Sequence, residues 1–366
     1  MKDFRSTFNN RSVLITGHTG FKGSWLTAWL TLLGARVSGY ALDPPTRPSH
    51  FEVADISELL ENDFRGDIRD TPSLRDAINL AEPEFIFHMA AQPLVIESLR
   101  DPKETFDVNV IGTCSVLDIV KERNKDCVVV VITSDKCYRN NEEGTPFQET
   151  DSLGGNDPYS ASKAATELVV ESYRHSFFRE DGELSVKIRI ASARAGNVIG
   201  GGDWAPDRIV PDAIQSLFKQ TVIDVRNPNS TRPWQHVLEP LSGYLLLASH
   251  MDDPLSPTEL QSSWNFGPDS DDSFSVQTLV DSVIRHWGSG KWEKDRSVSV
   301  KEAKSLRIDI GKARQQIGWS PQWNLETTIE KTVHWYHEFL EMKVGSALQL
   351  TSSDIIEYQK SLSFDK

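Results

Sequence analysis

Apolar residues in the first half of the chain form short β-branched runs that alternate with longer amphipathic stretches. The runs are bounded by turn residues, and five of them predict β-strands, at 12–16, 35–42, 84–90, 127–133 and 186–192. The amphipathic stretches predict helices at 21–33, 71–81, 101–124 and 158–179. Residues 127–132 are almost wholly apolar, which is typical of a strand covered by helices on both faces. The alternation predicts an α/β fold built on a parallel sheet.

After about residue 193 this regular alternation gives way to connections rich in Gly, Pro and Trp. A chain of 366 residues holds one large α/β unit or two interlocked ones. No repeat, low-complexity tract or Gly/Ser linker separates two independent domains. We therefore expect a doubly wound parallel sheet of the Rossmann type that interleaves with a smaller mixed α/β substrate lobe.

Charge and composition exclude several classes of partner. Lys and Arg number 39 against 53 Asp and Glu, so the net charge is −14 and neither nucleic acid nor an anionic membrane is expected as a partner. No apolar run approaches the ~20 residues that cross a bilayer, and the polar start lacks the apolar segment of a secretory signal. The three cysteines have no metal-binding spacing, so we expect reduced thiols, a cytoplasmic location and no metal site.

A glycine-rich loop separates the first predicted strand from the helix that follows it. Glycine permits the tight turn, lets backbone N–H groups approach a pyrophosphate, and lets the helix pack close to the sheet. The phosphate would lie at the positive end of that helix. Three glycines alone are a weak signal, but the strand before them and the helix after them strengthen it. We expect this loop to bind a dinucleotide through Gly17, Gly20, Phe21, Lys22 and Gly23.

Further cofactor contacts are expected where later strands end. Asp43 stands twenty residues after the last glycine of the loop, where a carboxylate accepts from ribose hydroxyls and repels a 2′-phosphate, so NAD is preferred over NADP. Asp43 could instead be a solvated loop acid, and Arg47 could hold a 2′-phosphate. Asp67 and Ile68 follow a further expected strand that lies between the runs at 35–42 and 84–90. They could take the adenine amino group or form a surface turn. Ala90 lies in a run of small residues that suits close passage of the backbone past a flat cofactor.

Tyr159 and Lys163 are four residues apart, so both project from one face of the predicted helix. Pro158 suits the first position of that helix. A phenol is a weak base at neutral pH, and a neighbouring ammonium together with the helix N-terminus favours its phenolate form. Ser134, at the end of a strand, is placed to share the same substrate hydroxyl. This spacing alone is common in ordinary amphipathic helices. With a nucleotide-binding loop upstream, it indicates a catalytic Tyr–Lys pair.

Three motifs occur in a recognisable order: TGHTGFKG at 16–23, HMAAQ at 88–92 and YSASK at 159–163. They resemble the motifs of the extended short-chain dehydrogenase/reductase superfamily, and the likeness spans nearly the whole chain. TSDKCY at 133–138 occupies the place where nucleotide-sugar 4,6-dehydratases carry Thr-Asp-Glu. Its lysine resembles that of CDP-glucose 4,6-dehydratases. The departures, Ser134 for threonine and a cysteine where valine is frequent, remove no required hydroxyl or charge.

The resemblance implies an NAD-dependent lyase that converts CDP-glucose into CDP-4-keto-6-deoxyglucose, an early step toward deoxyhexoses of bacterial surface polysaccharide such as lipopolysaccharide O-antigen. Tyr159 would take the proton of the 4-hydroxyl, with Ser134 and Lys163 beside it. Asp135 would protonate the departing 6-hydroxyl, and Lys136 would either remove the C5 proton or stay charged and stabilise the enolate. The alternatives are a nucleotide-sugar 4-epimerase, a dTDP- or GDP-sugar 4,6-dehydratase, and a noncatalytic NAD-binding regulator.

Residues 196–204 and 232–240 are similar to the sugar-nucleotide lobe of the same family. In an acidic protein the diphosphate of CDP-glucose requires local positive charge or N–H donors. Asn197, Arg208 and Arg232 are the candidates, although each arginine could instead form a structural ion pair.

The expected domain organisation follows the same division. Residues 1–192, with returning segments near 232–265, are expected to form the NAD-binding domain, and residues 193–231 and 266–366 the sugar-nucleotide lobe. The predicted helices 101–124 and 158–179 carry apolar stripes wide enough to pack beyond their own sheet. In the superfamily the corresponding helices often form a four-helix dimer interface, so the resemblance implies a homodimer or a higher homo-oligomer.

Overall fold

The computed structural model describes residues 3–140, 144–178, 187–269, 274–295, 306–341 and 346–363. In this part of the chain the strands are β1 (Ser12–Thr16), β2 (Arg36–Ala41), β3 (Asn62–Arg65), β4 (Phe85–His88), β5 (Cys127–Ile132), β6 (Ile188–Ala195), β7 (Val198–Ile199), β8 (Ile223–Val225), β9 (Thr231–Arg232), β10 (Gln235–His236), β11 (Ser263–Phe266), β12 (Phe274–Ser275) and β13 (Trp292–Lys294).

The α-helices of the described residues are α1 (Phe21–Leu32), α2 (His50–Val53), α3 (Thr71–Ala81), α4 (Val95–Arg100), α5 (Pro102–Phe106), α6 (Gly112–Arg123), α7 (Pro158–Ser176), α8 (Ile209–Phe218), α9 (Leu238–Asp252), α10 (Val276–Trp287), α11 (Gly311–Gln316), α12 (Leu325–Leu340) and α13 (Ala347–Ser361).

Seven strands form the central sheet in the order β11-β6-β5-β4-β1-β2-β3, and every neighbouring pair is parallel. Strand β5 is apolar on both faces of the sheet, so helices must pack against each face. Val128 and Val130 belong to the core beside α1 and α9, whereas Val129 and Val131 belong to the core beside α3 and α6. Helices therefore pack on both faces, which confirms the predicted doubly wound α/β fold.

The predicted strands and helices all occur, with shifts at their ends. Strand β6 continues to Ala195, past the expected boundary at residue 192, and β11 joins the same sheet beside it. The predicted first residue of that strand, Val186, and the predicted last residue of α7, Arg179, lie outside the described residues. The division of the chain into two domains stays a prediction.

The single helix predicted at 101–124 contains a π-helical turn, Asp107–Ile111, between α5 and α6. The cause is local hydrogen bonding at Asn109. Its carbonyl oxygen accepts from the hydroxyl of Thr113 at 2.7 Å and from that of Thr166, on α7, at 2.9 Å. Side-chain donors that enter a helix in this way widen it, and the extra turn fixes α5 and α6 against α7.

The C-terminal half shares its core with the central sheet. One apolar cluster includes residues of β1 and β5 together with residues of α8 to α13. Tyr358 on α13 contacts Trp29 on α1 edge to face, with ring centroids 5.6 Å apart. The Tyr358 hydroxyl also donates to the buried carboxylate of Glu239 on α9 at 2.6 Å. The C-terminal half and the central sheet therefore share one hydrophobic core.

In the described ranges, every helix is too short or too polar to cross a bilayer.

Candidate active site

A cavity of about 770 Å³ lies at the carboxyl ends of the central strands. The chain leaves β1 toward β2 on one side and reaches β4 on the other, and α/β sheets bind ligands where the strand order reverses in this way. Every predicted site residue except Lys163 lines this cavity: Gly17, Gly20, Phe21, Lys22, Gly23, Asp43, Asp67, Ile68, Ala90, Ser134, Asp135, Lys136, Tyr159, Asn197, Arg208 and Arg232.

The glycine-rich loop turns from β1 into α1 at one end of the cavity. Gly17 has a φ of +77°, and a Cβ there would lie 2.7 Å from the backbone nitrogen of Ala90. A Cβ at Gly23 would lie 2.3 Å from the carbonyl oxygen of Gly17. Gly20 precedes α1 and no side chain caps the first turn of the helix, so its N–H groups face the cavity. These features fit a pyrophosphate at the positive end of α1.

Asp43 lies two residues beyond the end of β2. Its side chain is 88% exposed and lies 4.0 Å from Arg65, which leaves the carboxylate accessible to ribose hydroxyls. Arg47 does not line the cavity, and its guanidinium lies 3.9 Å from the carboxylate of Glu52. The structure therefore brings Asp43, and not Arg47, to the dinucleotide end of the cavity.

Asp67 and Ile68 lie beyond β3 on the same wall. The Asp67 carboxylate accepts from the backbone N–H of Arg69 at 2.9 Å and from its guanidinium at 2.5 Å. This side-chain hydrogen bond lowers the pKa of Asp67. The hydroxyl of Tyr40 donates to the Asp67 carbonyl oxygen at 2.9 Å. Asp67 thus has a fixed orientation and a negative charge.

Helix α7 presents Tyr159 and Lys163 to the end of β5. Asp157 caps the helix by accepting from the N–H of Ser160 at 2.9 Å. Both functional side chains are buried, and the Lys163 ammonium donates to the carbonyl oxygen of Ile132 at 3.2 Å. Burial raises the pKa of Tyr159 to about 12, whereas a hydrogen bond with Ser134 opposes this rise. Burial also lowers the pKa of Lys163 to about 8.

Asp135 and Lys136 begin a short 3₁₀ turn directly after β5. The Ser134 hydroxyl donates to Asp135 at 3.1 Å and accepts from the N–H of Lys136 at 3.2 Å. Burial raises the pKa of Asp135 to about 6, so this carboxyl can carry a proton near neutral pH. Its second oxygen, Oδ2, is buried and has no hydrogen-bond partner among the described residues. The Lys136 nitrogen lies 5.9 Å from the centre of the Tyr159 ring.

The predicted substrate-binding residues also line the cavity. Arg208 donates to Asp203 at 2.8 Å, and its side chain stays 33% exposed. Arg232 is buried, and its guanidinium donates to the carbonyl oxygen of Thr231 at 2.8 Å. Burial raises the pKa of Asp135, and the charge of Arg232 opposes this rise. Asn197 accepts through its backbone carbonyl from Gln235. Both arginines therefore form structural bonds while facing the cavity.

Two features of the site went unnoticed in the sequence. The side chain of Lys22 reaches toward the ring of Tyr244 on α9, 6.0 Å away, and burial lowers the pKa of Lys22 to about 7. Between α7 and the central sheet, a buried ion pair joins Glu167, on α7, to Arg194, on β6, at 2.8 Å. The position of Glu167, four residues after Lys163, was a usable signal because it predicts the same helix face. No local sequence pattern predicts that Arg194 or Tyr244 contacts the site.

The fold and the site together define a member of the extended short-chain dehydrogenase/reductase family. The sequence model of the family described as GDP-mannose 4,6 dehydratase matches residues 14–332. The chain belongs to this family, and the resemblance inferred from the motifs is confirmed.

The similar proteins include dehydratases and an epimerase. CDP-glucose 4,6-dehydratase of Salmonella typhimurium is 45% identical over 337 residues, which cover 92% of this chain and 93% of the relative. The dTDP-glucose 4,6-dehydratase of the same organism is 23% identical, with 88% and 92% covered. The structure of dTDP-glucose 4,6-dehydratase from Bacillus anthracis in complex with NAD has a TM-score of 0.74 at 22% identity, with 90% and 98% covered. The epimerase Mth375 from Methanothermobacter thermautotrophicus has a TM-score of 0.78 at 21% identity, with 93% and 96% covered.

Proposed function

We propose that the protein is an NAD-dependent lyase of the cytoplasm that dehydrates CDP-glucose to CDP-4-keto-6-deoxyglucose. One observation carries the proposal: Asp135 and Lys136 line the same cavity as Tyr159, immediately after the strand that ends beside it. An epimerase has no need of this acid–amine pair, because it eliminates no water. The relative at 45% identity, a CDP-glucose 4,6-dehydratase, supports CDP over the other nucleotides.

The glycine-rich loop, Asp43, Asp67 with Ile68, and Ala90 are the residues that would hold the cofactor. The uncapped first turn of α1 would bind its pyrophosphate, and Asp43 would accept from a ribose hydroxyl. When bound, NAD accepts a hydride from C4 of the hexose and supplies it again at C6. Lys163, buried one turn after Tyr159 on α7, would bind the ribose next to the reactive ring.

In the first half of the reaction Tyr159 would take the proton of the 4-hydroxyl as the 4-ketone forms. Burial alone holds the phenol protonated, so phenolate needs nearby positive charge. Lys163 is one turn away on α7, and the charge of Arg208 also lowers the pKa of Tyr159. Ser134 would turn its hydroxyl proton from Asp135 to the same substrate oxygen, because this hydroxyl also hydrogen-bonds with Tyr159.

In the second half, the ketone acidifies the neighbouring C5–H bond. Lys136 would take the C5 proton or stabilise the resulting enolate, and Asp135 would give its proton to the 6-hydroxyl, which leaves as water. A proton then returns to C5. The raised pKa of Asp135 suits this role, since a carboxyl with an ordinary pKa would carry almost no proton at pH 7. Asn197, Arg208 and Arg232 would bind the diphosphate.

The test follows a label through the reaction. Purified protein is mixed with NAD and CDP-glucose deuterated at C4, and the product is analysed by NMR and mass spectrometry. We expect a 4-keto-6-deoxy sugar whose new methyl group carries the deuterium, with much slower turnover of dTDP-, UDP- and GDP-glucose. Deuterium that exchanges into solvent, or a product that is the C4 epimer, would contradict the proposal.

We further propose that the protein is a homodimer formed through α5, α6 and α7. Ile111, in the π-helical turn, and Leu168, on α7, are 55% and 56% exposed. Phe106, at the end of α5, is 37% exposed. Apolar side chains grouped on neighbouring helices mark an interaction surface. The family resemblance assigns the same two stretches of the chain, 101–124 and 158–179, to the interface.

Replacing both Ile111 and Leu168 by Asp is expected to convert the dimer into a monomer, because the charges would have to be buried in the apolar contact. Light scattering after size-exclusion chromatography measures the mass directly. The matched control is Leu255→Asp, since Leu255 is 92% exposed and lies outside these helices. A wild-type protein that is monomeric at micromolar concentration would contradict the dimer.

A further inference from the structure

A buried ion pair between α7 and the central sheet joins three elements of the site. The carboxylate of Glu167 accepts from the guanidinium of Arg194, on β6, at 2.8 Å, and both side chains are only 3% exposed. The same carboxylate accepts from the hydroxyl of Thr133 at 2.5 Å and from that of Ser192 at 2.7 Å. Both carboxylate oxygens therefore have partners, and each partner comes from a strand of the central sheet or its immediate end.

The position of Glu167 relates this pair to the chemistry. Glu167 lies one turn after Lys163 and two turns after Tyr159 on α7, so all three side chains face the sheet. Thr133 comes directly before the segment 134–136. One carboxylate thus bonds the strand end that carries three candidate catalytic residues to the helix that carries the other two.

The Arg194 guanidinium extends the network away from the cavity. Its second nitrogen donates to the hydroxyl of Tyr138 at 2.8 Å, and that hydroxyl donates to the side-chain oxygen of Asn265 at 2.7 Å. Tyr138 follows the 3₁₀ turn after β5, and Asn265 lies on β11. The turn that carries Asp135 and Lys136 is therefore held at both of its ends by partners of the same ion pair.

The charge of Glu167 also acts on Lys163. The groups that face Lys163 come from several elements: Lys22 on α1, His88 on β4, Cys137 after β5, and Glu167 on α7. Burial lowers the pKa of Lys163, and the negative charge of Glu167 opposes this effect. Burial holds the pKa of His88 at about 3, so His88 is neutral. Lys22 adds repulsion, and Glu167 is therefore the charged group that favours the ammonium.

Stability alone does not account for the pair. Replacing a buried ion pair by apolar residues of similar volume is often neutral or stabilising, because the desolvation of both ions offsets their attraction. We propose that Glu167 is a positioning residue: with Arg194 it fixes the segment 134–136 against α7, and its charge retains Lys163 as an ammonium. The proposal rests on the roles given above to Tyr159 and Lys163.

The test compares Glu167→Gln with Glu171→Gln, the same change at an exposed position of the same helix. Glutamine keeps the shape of the side chain but removes its charge. We expect kcat for CDP-glucose to fall about tenfold in E167Q. We also expect the alkaline limb of the C4 oxidation rate, measured in single turnovers through the absorbance of reduced cofactor, to move down by about one pH unit, because Lys163 loses its proton more easily. E171Q is expected to leave both unchanged.

Melting temperature gives a second readout that needs no substrate. In E167Q the folded state binds the Lys163 proton less readily, whereas the unfolded state is unaffected. The difference in melting temperature between E167Q and wild type should therefore be larger at pH 7 than at pH 9. A role limited to packing predicts the same difference at both pH values, and that result would overturn the charge part of the proposal even if CDP-glucose were not the substrate.

Two further variants separate position from charge. Glu167→Asp keeps the charge but shortens the side chain, so we expect a lower kcat with the alkaline limb at its wild-type pH. The double variant E167Q/R194M removes the uncompensated guanidinium, and we expect its melting temperature to recover while the limb stays shifted. An E167Q enzyme with wild-type kcat and an unshifted limb would refute the proposal, whereas inactivity of the wild-type protein toward CDP-glucose would refute only the function proposed above.

Discussion

Tyr159→Phe is expected to lower kcat for CDP-glucose by about 10³-fold, which corresponds to roughly 4 kcal/mol of transition-state stabilisation. The variant keeps the aromatic ring, which is buried against the cavity wall, but removes the oxygen that takes the 4-hydroxyl proton. The first oxidation should therefore fail. A single-turnover experiment measures this step directly, through the absorbance of reduced cofactor after substrate is added.

The control for this variant is Tyr173→Phe, on the same helix, where the hydroxyl contacts Asp118 at 3.0 Å and not the cavity. Y173F should turn over normally. Tyr159→Phe should also bind cofactor with wild-type affinity, because the loop between β1 and α1 is unchanged. An active Y159F enzyme would remove Tyr159 from the role of base and would direct attention to the other buried groups near Ser134.

Lys136→Met and Asp135→Asn should stop the reaction after oxidation at C4. Neither variant alters Tyr159, so the absorbance of reduced cofactor should still develop. Water loss should fall by about 10²-fold or more, because the acid or the amine at C5 and C6 is missing. In deuterated water K136M should fail to incorporate deuterium at C5, and Lys219→Met, an exposed lysine at the end of α8, should incorporate it as wild type does.

The two variants also distinguish the roles of the pair. If Lys136 acts only as a charge, K136M should still incorporate deuterium at C5 but more slowly, whereas loss of the base should abolish incorporation. Deuterium incorporation at the wild-type rate would contradict the assignment of Lys136 as the base. Asp135 acts in its protonated form, so in wild type the elimination should slow as pH rises through the pKa of about 6. D135N has no titrating proton at this position, and that part of the pH dependence should disappear.

The fold and the dinucleotide loop were predictable because their signals are local. Apolar runs of strand length, an amphipathic helix after each, and glycines at a strand-to-helix turn all lie within short stretches of sequence. Tyr159 and Lys163 were predictable for the same reason, since helix periodicity brings them to one face. The assignment of the segment 134–136 depended on family resemblance and not on spacing.

What escaped prediction depends on contacts between distant residues. Arg194, the partner of Glu167, is 27 residues away on β6, and the ring that Lys22 approaches is on α9. The π-helical turn arises because a hydroxyl on α7 reaches the carbonyl oxygen of Asn109, a contact that α5 and α6 do not encode by themselves. Strand β6 extends beyond its predicted end at residue 192 because its last residues, Arg194 and Ala195, pair with β11.

The contact of α13 with α1 has a consequence for how this enzyme can vary. Helix α1, whose uncapped first turn lines the cavity, also packs on the last helix of the described chain. A change at Tyr358 therefore acts through Trp29 on α1 and through Glu239 on α9. Halves taken from two relatives would not recombine freely, because each half completes the hydrophobic interior of the other.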